Sequence, residues 1–331
     1  MAAILEVQNL VKKYGDVVAV NGVSFAIEEG EIFSLLGPNG AGKTTTISVV
    51  SCLLQPTSGE AIIGGHSVVR ESMEVRKIIG VVPQDIALYH MLSARENLVF
   101  WGRMYGMGGV QLKKRVDEVL EQIGLTDKAN VKVGTYSGGM KRRVNIGVGL
   151  LHRPRIIYMD EPTVGIDPQS RRSILDAVKE LNKQGMTVLY TTHYMEEAHE
   201  LSNRVGIIDH GQLIALGTQK ELTQKIGEHD TLRLHVGEGD AEKLSAALST
   251  LPGILKCSAA DHEVVLMVPE AEDALAPVIT RANEAGIKIH SVDIQEPNLE
   301  AVFLALTGRA LRDYSIGQLV NWSIGYQLPN Y

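Results

Sequence analysis

Apolar and polar residues follow two periods along the first two-thirds of the chain. A period of two, typical of half-buried strands, covers residues 4–10 and 17–27. Helical spacing of apolar side chains covers residues 93–122, with an interruption at Gly106–Gly109 that separates two helices. Short apolar strands then alternate with helices: strands at 78–82, 156–159, 186–191 and 204–209, and helices at 138–152, 169–184 and 194–202. This alternation predicts an α/β core, a parallel sheet covered by helices.

The pattern changes after about residue 220. The predicted order becomes strand, helix, strand, strand, helix, strand, which is typical of a small ferredoxin-like α+β unit. The segments are 231–236, 241–251, 254–260, 263–268, 272–285 and 287–294. A further helix is predicted at 297–308, and residues 309–331 have no clear periodicity. We therefore expect three parts: residues 1–220, an accessory domain at 230–308, and a tail at 309–331.

Length and composition agree with a globular protein of two domains. The chain has 331 residues, and single cores stop growing at roughly 250–300. No stretch of about 18 consecutive apolar residues is present, so we expect no transmembrane helix. Lys plus Arg and Asp plus Glu balance at 23 each over residues 1–219, whereas residues 220–331 carry 9 and 16. The acidic C-terminal part argues against nucleic acid as its partner.

A glycine-rich turn follows the apolar run from Ile32 to Leu36. Together with the residues after it, this turn fits the pattern G-x-x-x-x-G-K-[ST] and precedes a predicted helix. Gly37, Gly40 and Gly42 let successive backbone N–H groups point at an anion, and the helix adds the positive end of its dipole. Lys43 can reach the β- and γ-phosphates, and the Thr44 hydroxyl can bind Mg²⁺. The stretch predicts binding of a nucleoside triphosphate.

Two later stretches indicate what the chain does with a bound nucleoside triphosphate. Asp160 and Glu161 follow a buried strand, where the first acid can hold Mg²⁺ and the second can orient or deprotonate a water. Ser137, Gly138 and Gly139 precede a helix and predict a second anion site. If the two anion sites lie at opposite ends of the fold, one subunit cannot wrap both around one phosphate.

With these residues in place, the chain resembles the nucleotide-binding subunit of an ABC transporter over about residues 4–217. Six motifs occur in the order of that family. They are GPNGAGKT at 37–44 (Walker A), Gln84 in VVPQD (Q-loop), YSGGM at 136–140 (signature), IIYMD with Glu161 (Walker B and catalytic glutamate), Asp167 in VGID (D-loop) and His193 in TTHYMEEA (switch histidine). Tyr14 lies where such proteins carry an aromatic residue that stacks on adenine.

The resemblance implies an ATPase with ATP and Mg²⁺ as cofactors. Its fold has a parallel core sheet, an antiparallel β subdomain and a helical subdomain, here about 85–150. Two subunits face head to tail and close over two ATPs, and a membrane partner contacts the helical subdomain. The implied catalytic residues are Glu161, His193 and Gln84, and the implied metal ligands are Thr44, Gln84 and Asp160. The implied nucleotide-binding residues are Tyr14, Gly37, Pro38, Asn39, Gly40, Ala41, Gly42, Lys43, Thr44, Thr45, Ser137, Gly138, Gly139 and Asp167.

The subtype follows from two further stretches. Tyr136 and Met140 depart from the LSGGQ signature but keep its Ser-Gly-Gly core, and residues 296–313 resemble the end of ABC-2-type exporter ATPases, including the daunorubicin-resistance type. This resemblance implies export of a drug, lipid or polysaccharide. It also implies a polytopic ABC-2-type permease, a second ATPase subunit forming a homodimer, no nucleic acid, and a peripheral place on the cytoplasmic face of the cell membrane.

Several alternatives stay open. The main rival function is a soluble ABC ATPase acting on ribosomes or DNA, although such proteins usually carry both ATPase halves or long insertions. A second alternative is a regulatory nucleotide-binding module with little turnover. The presence of Glu161 and His193 argues against it. Tyr14 could be a turn residue, and Lys141 to Arg143 are expected to form a solvated helix face. The C-terminal domain is expected to stabilise a dimer or dock a partner, rather than bind a regulatory ligand.

Overall fold

A computed structural model gives the fold and describes residues 3–226, 229–295 and 298–308. The predicted tail at 309–331, and with it the end of the ABC-2-like stretch, lies outside these residues. The chain divides near residue 228 into two compact units, which are described separately. No helix in the described part of the chain is both long enough and apolar enough to cross a membrane.

The first unit contains ten strands, eight α-helices and two short 3₁₀-helices (Thr126–Lys128 and Val133–Thr135) among its described residues. The strands are β1 (Ala3–Tyr14), β2 (Val17–Glu28), β3 (Ile32–Leu36), β4 (Ser58–Ile63), β5 (His66–Ser67), β6 (Ile79–Val82), β7 (Ile156–Asp160), β8 (Thr187–Thr192), β9 (Arg204–Asp209) and β10 (Gln212–Gly217). The helices are α1 (Lys43–Val50), α2 (Ser72–Ile78), α3 (Ala94–Met104), α4 (Gly109–Gln122), α5 (Gly138–Leu150), α6 (Pro168–Lys183), α7 (Met195–Leu201) and α8 (Gln219–Ile226).

The central sheet has six strands in the order β10-β9-β3-β8-β7-β6. All neighbours are parallel except β9 and β10, which form an antiparallel edge pair. Every residue of β3, β7 and β8 is buried, as expected for strands covered on both faces. The predicted parallel α/β core is therefore confirmed. Because the strands run parallel, the loops after β3, β7 and β8 leave the sheet at the same edge.

A second, antiparallel sheet has the order β2-β1-β4-β5 and packs on the central sheet. Phe25 of β2 and Phe33 of β3 stack across this boundary, with ring centroids 5.1 Å apart. On the other side of the core, α3, α4 and α5 bury a cluster that includes Leu98, Val116 and Val144. The sheet that carries the loops is thus held between two apolar layers, which fixes its strand ends.

Several elements differ from the prediction. The first strand continues to Tyr14, and its pairing with β2 has irregularities that break the alternation of its residues. Helices α2 and α8 and strands β5 and β10 are not predicted from the sequence. Strand β10 is half-buried at four successive positions, so it shows no period of two, and it pairs only because the turn at His210 and Gly211 folds it back on β9.

The second unit has the predicted ferredoxin-like order of elements. These are β11 (Asp230–Val236), α9 (Ala241–Leu248), β12 (Lys256–Ala260), β13 (Glu263–Val268), α10 (Ala271–Glu284), β14 (Ile289–Gln295) and α11 (Leu299–Thr307). Its sheet has the order β12-β13-β11-β14, with every neighbour antiparallel. Leu232 and Leu234 pack with α9 and α10 on one face, whereas Arg233 pairs with Glu300 of α11 on the other.

Candidate functional site

The loop between β3 and α1 has a backbone that requires glycine. Gly40 and Gly42 have φ angles of 79° and 105°, in the left-handed region that favours glycine. A Cβ atom at Gly37 would lie 2.2 Å from the carbonyl oxygen of Ile208, and one at Gly42 would lie 2.5 Å from that of Ala19. No side chain caps the N-terminus of α1, so its first N–H groups are available to an anion.

Lys43 begins α1 and is only 4% exposed. Its ammonium group donates to the carbonyl oxygens of Gly37 and Pro38 at 2.7 and 2.9 Å. It also lies 2.9 Å from Oε1 of Glu161. The lysine therefore bridges the glycine-rich loop and the loop after β7, and it brings one positive charge to the centre of the site.

Glu161 directly follows β7 and has a positive φ angle of 43°, which is uncommon for a residue with a side chain. Its backbone N–H donates to Oγ1 of Thr191 at 3.0 Å, and its Oε2 lies 3.2 Å from Nδ1 of His193. Burial raises the pKa of Glu161, but the hydrogen bond from His193 and the charge of Lys43 together outweigh it and lower the pKa to about 2. Glu161 is therefore ionised at neutral pH.

Asp160, the last residue of β7, is 4% exposed and accepts a hydrogen bond from Thr191 Oγ1 at 2.7 Å. Burial raises its pKa, and hydrogen bonds from Thr191 and Thr44 oppose the rise. A nearby cation would offset the cost of burying this charge. Carboxylate and hydroxyl oxygens are also the ligands that Mg²⁺ prefers, so Asp160 and Thr44 fit a magnesium ion.

Lys43, Thr44, Glu161 and His193 line one cavity of about 370 Å³, and Asp160 is not among the residues that line it. Its lining residues are Ala19, Asn39, Gly40, Gly42, Lys43, Thr44, Thr45, Gln84, Glu161, Val164 and His193. The structure thus brings together residues from five separate stretches of the sequence. The other predicted loop residues, Gly37, Pro38 and Ala41, belong to the same turn but are not among those that line this cavity.

The residues of the predicted second anion site lie outside this cavity. Ser137 is exposed and caps the N-terminus of α5 by accepting a hydrogen bond from the Met140 N–H at 3.2 Å. Gly138 is also exposed, whereas Gly139 packs so closely on α6 that a Cβ atom would lie 2.3 Å from the Cβ of Ser170. The start of α5 therefore does not contribute to the cavity that contains Lys43.

Two further predicted residues are also outside the cavity. Asp167 caps α6 by accepting a hydrogen bond from the Ser170 N–H at 2.9 Å, and this bond lowers its pKa. Tyr14 ends β1 with 47% of its surface exposed, and the Lys12 ammonium lies 5.3 Å from its ring centroid. The exposed ring leaves room for a stacked base, and adenine stacking stays a prediction.

Arg142 corrects the expectation of a solvated face from Lys141 to Arg143. It is 3% exposed and donates to the carbonyl oxygens of Pro83 and Gln84 at 2.8 and 2.6 Å. Its planar guanidinium satisfies two carbonyls of the loop that positions Gln84, which is why a charged residue is buried there. The sequence gives no sign of this contact, because its partners lie almost 60 residues away.

Thr191 was also missed by sequence reasoning. Its hydroxyl contacts both the Asp160 carboxylate and the Glu161 N–H, so it sets the geometry of the two acids. A possible signal was present: Thr191 and Thr192 are polar residues at the end of the apolar strand before His193. Buried hydroxyls need partners, and the adjacent strand end supplies them.

Comparisons with known proteins agree with this geometry. The ABC transporter family profile matches residues 20–164. The chain is 47% identical to the linearmycin resistance ATP-binding protein LnrL of Bacillus subtilis (strain 168) over 312 residues, covering 94% of this chain and 100% of that protein. It is 40% identical to the doxorubicin resistance ATP-binding protein DrrA of Mycobacterium tuberculosis (strain ATCC 25618 / H37Rv), covering 88% and 89% of the two chains.

A solved structure of similar fold is the ATP-binding cassette MJ0796, a dimer in a post-hydrolysis state bound to ADP and Pi. It is 31% identical with a TM-score of 0.58, covering 65% of this chain and 98% of that one. The structure of cbiO1 from Clostridium perfringens is 28% identical with a TM-score of 0.62, covering 68% and 95%. Both the predicted fold class and the predicted family are confirmed. The chain is an ATPase that belongs to the ABC transporter ATP-binding proteins, and it is similar to members that are named for drug resistance.

Proposed function

We propose that the chain is the ATP-hydrolysing subunit of an ABC-2-type exporter. It works as a homodimer bound to a polytopic ABC-2-type permease, at the cytoplasmic face of the cell membrane. The observation that carries the proposal is the extent of the similarity. The relative named for linearmycin resistance matches over its whole length, and therefore beyond residues 20–164, which the family profile covers.

The proposed substrate class is a drug, lipid or polysaccharide. The relatives differ in the molecules for which they are named. Two are named for resistance to linearmycin and doxorubicin, and one from Cupriavidus metallidurans, 37% identical over 315 residues, is named for Nod factor export. One of these three names states export, and export of the compound would account for the resistance in the other two, so export is the activity we assign to the complex.

In the proposed mechanism, the phosphates of ATP bind the N–H groups of the glycine-rich loop and the Lys43 ammonium. Lys43 pairs with Glu161 at 2.9 Å, so a triphosphate competes with that carboxylate for the same ammonium. As Lys43 turns to the phosphates, Glu161 loses the charge that helps to lower its pKa and becomes a better acceptor for a proton of the attacking water. His193, which lies beside Glu161, contacts the γ-phosphate.

Magnesium would be held by Thr44, Asp160 and Gln84. The first two already lie within hydrogen-bonding contact of each other, and Gln84 lines the same cavity. Bound there, the ion supplies positive charge that stabilises the phosphoryl oxygens during transfer. Among the described residues, no group of three or more Asp, Glu, His or Cys side chains could hold a metal ion.

A second copy of the chain would complete each site. Ser137 and Gly138 are exposed but lie outside the cavity that contains Lys43. In a head-to-tail pair, the start of α5 of one subunit faces the γ-phosphate bound by the other, and its N–H groups add to the anion site. Asp167 lies in the same interface.

The remaining parts have supporting roles in this proposal. The ABC ATPase domain is residues 1–220, and its helical subdomain, about 85–150, receives a helix of the permease. Residues 230–308 stabilise the dimer or dock a partner.

The Lys43–Glu161 contact predicts a pH-dependent difference in stability between the wild type and Glu161→Gln. The pKa of Glu161 is lowered in the folded state, so its contribution is present above the usual pKa of 4.5 and is lost as the pH falls towards 2. We expect the free-energy difference of unfolding between the two proteins to shrink by about 1 kcal/mol from pH 6 to pH 3.5. Urea titrations at both pH values measure it, and a constant difference would contradict the ionised contact.

Mixing inactive subunits tests the head-to-tail pair. Lys43→Ala removes the lysine of the cavity, and Ser137→Arg blocks the turn at the start of α5. Each variant alone should be inactive, whereas an equal mixture forms mixed dimers with one intact site and regains about a quarter of the wild-type ATPase rate. A mixture as inactive as its components would mean that the two regions do not act across subunits.

A pull-down tests the exporter assignment directly. The tagged full-length chain is recovered from detergent-solubilised membranes of its source cell, and the co-purifying proteins are identified by mass spectrometry. We expect a stoichiometric polytopic membrane protein, which an untagged control does not yield. Recovery only from the soluble fraction, together with ribosomal or DNA-repair proteins, would instead support a soluble ABC ATPase.

A further inference from the structure

Hydrogen bonds to a buried carboxylate stabilise the turn that carries His193. Glu197, in the first turn of α7, is 2% exposed. Its Oε2 accepts hydrogen bonds from the Tyr190 hydroxyl at 3.0 Å and the Thr192 hydroxyl at 2.9 Å. The same Thr192 oxygen accepts from the Tyr194 N–H at 2.9 Å. Residues on both sides of His193 are thus held to one carboxylate.

The charge of Glu197 is balanced from another helix. Arg171, near the start of α6, has its Nε 3.7 Å from Oε1 of Glu197. Neither of these two atoms has a hydrogen-bond partner among the described residues, so the contact between them is chiefly one of charge. A buried carboxylate without a nearby cation strongly destabilises the folded state. Arg171 is therefore important for keeping Glu197 in its buried position.

Arg171 also contacts the turn through its guanidinium plane. The guanidinium carbon lies 4.4 Å from the centroid of the Tyr194 ring, and that ring lies 4.1 Å from the ring of His193. Cation–π contacts of this kind hold an aromatic ring in place. His193 in turn lies 3.2 Å from Glu161, at the limit of a good hydrogen bond, so a small shift of the turn would break that contact.

We propose that Arg171 is a positioning residue for His193: through Glu197 and Tyr194, it fixes the imidazole against Glu161. The inference rests on the proposed roles of Glu161 and His193 in hydrolysis. It also ties the imidazole to α6, the helix that Asp167 caps, so displacement of the start of α6 alters the His193–Glu161 contact.

The first test replaces Arg171 by Met, which keeps most of the side-chain length but removes the charge. We expect kcat to fall about tenfold, with the KM for ATP within about threefold of the wild type, because the loop that binds phosphate is unchanged. Arg172→Met is the matched control. Its guanidinium pairs with Asp176 and Glu200 on the surface, and we expect its kcat to stay within about twofold of the wild type.

The second test asks whether the effect depends on charge. Glu197→Gln in the Arg171→Met protein removes the unpaired carboxylate while the amide oxygen still accepts from Tyr190 and Thr192. We expect this double variant to recover most of the lost kcat, and Arg171→Lys to lose less than Arg171→Met. Binding of a fluorescent ATP analogue to every variant reports whether the cavity is folded. No recovery in a double variant that binds ATP normally would overturn the charge-based link.

The third test asks whether Arg171 acts through His193. In single-turnover assays, Arg171→Met should cost about tenfold in the wild-type background but add almost nothing to His193→Ala. An equal loss in both backgrounds, or an unchanged rate for Arg171→Met, would overturn the inference and leave the proposed function intact. Wild-type turnover in His193→Ala would overturn it together with the proposed role of His193.

Discussion

The site depends on one buried ion pair, the contact of 2.9 Å between Lys43 and Glu161. Both side chains are nearly inaccessible to water, so each charge needs a partner. The parallel sheet makes this pairing possible, because it places the loops after β3 and β7 at one edge with β8 between them. From β8, Thr191 holds the two acids and His193 reaches Glu161. The glycine-rich loop, the paired acids and the histidine are therefore one charged cluster on a rigid apolar support.

The same contact connects binding to chemistry. While Lys43 pairs with Glu161, the carboxylate has a pKa of about 2 and is a weak base. A triphosphate that binds Lys43 weakens this pairing at the moment when a proton acceptor is needed. The second set of N–H groups, at the start of α5, lies outside the cavity that contains Lys43, so a partner copy is needed to bring such a set to the phosphates. Arg171 then matters because it fixes the other neighbour of Glu161, the His193 imidazole.

The sequence predicted much of this arrangement because its strongest signals are local. Buried strands such as β7 have continuous apolar runs, and the glycine-rich turn has a spacing with a direct physical meaning. The ferredoxin-like order of the second unit was also readable from periodicity alone. Contacts between residues that are distant in the sequence could not be predicted. Arg142 looks like a solvated residue until the Gln84 loop supplies its carbonyls, and β10 has no period of two.

The most direct test of the account is the rate of ATP hydrolysis by Glu161→Gln, measured beside its affinity for ATP. We expect turnover to fall by at least about a hundredfold, because the group that orients and deprotonates water is lost. The affinity should equal or exceed that of the wild type, because Lys43 no longer divides its charge between Glu161 and the phosphates. Near-normal turnover would contradict the assignment of Glu161, and a large loss of affinity would contradict the competition for Lys43 on which the account is built.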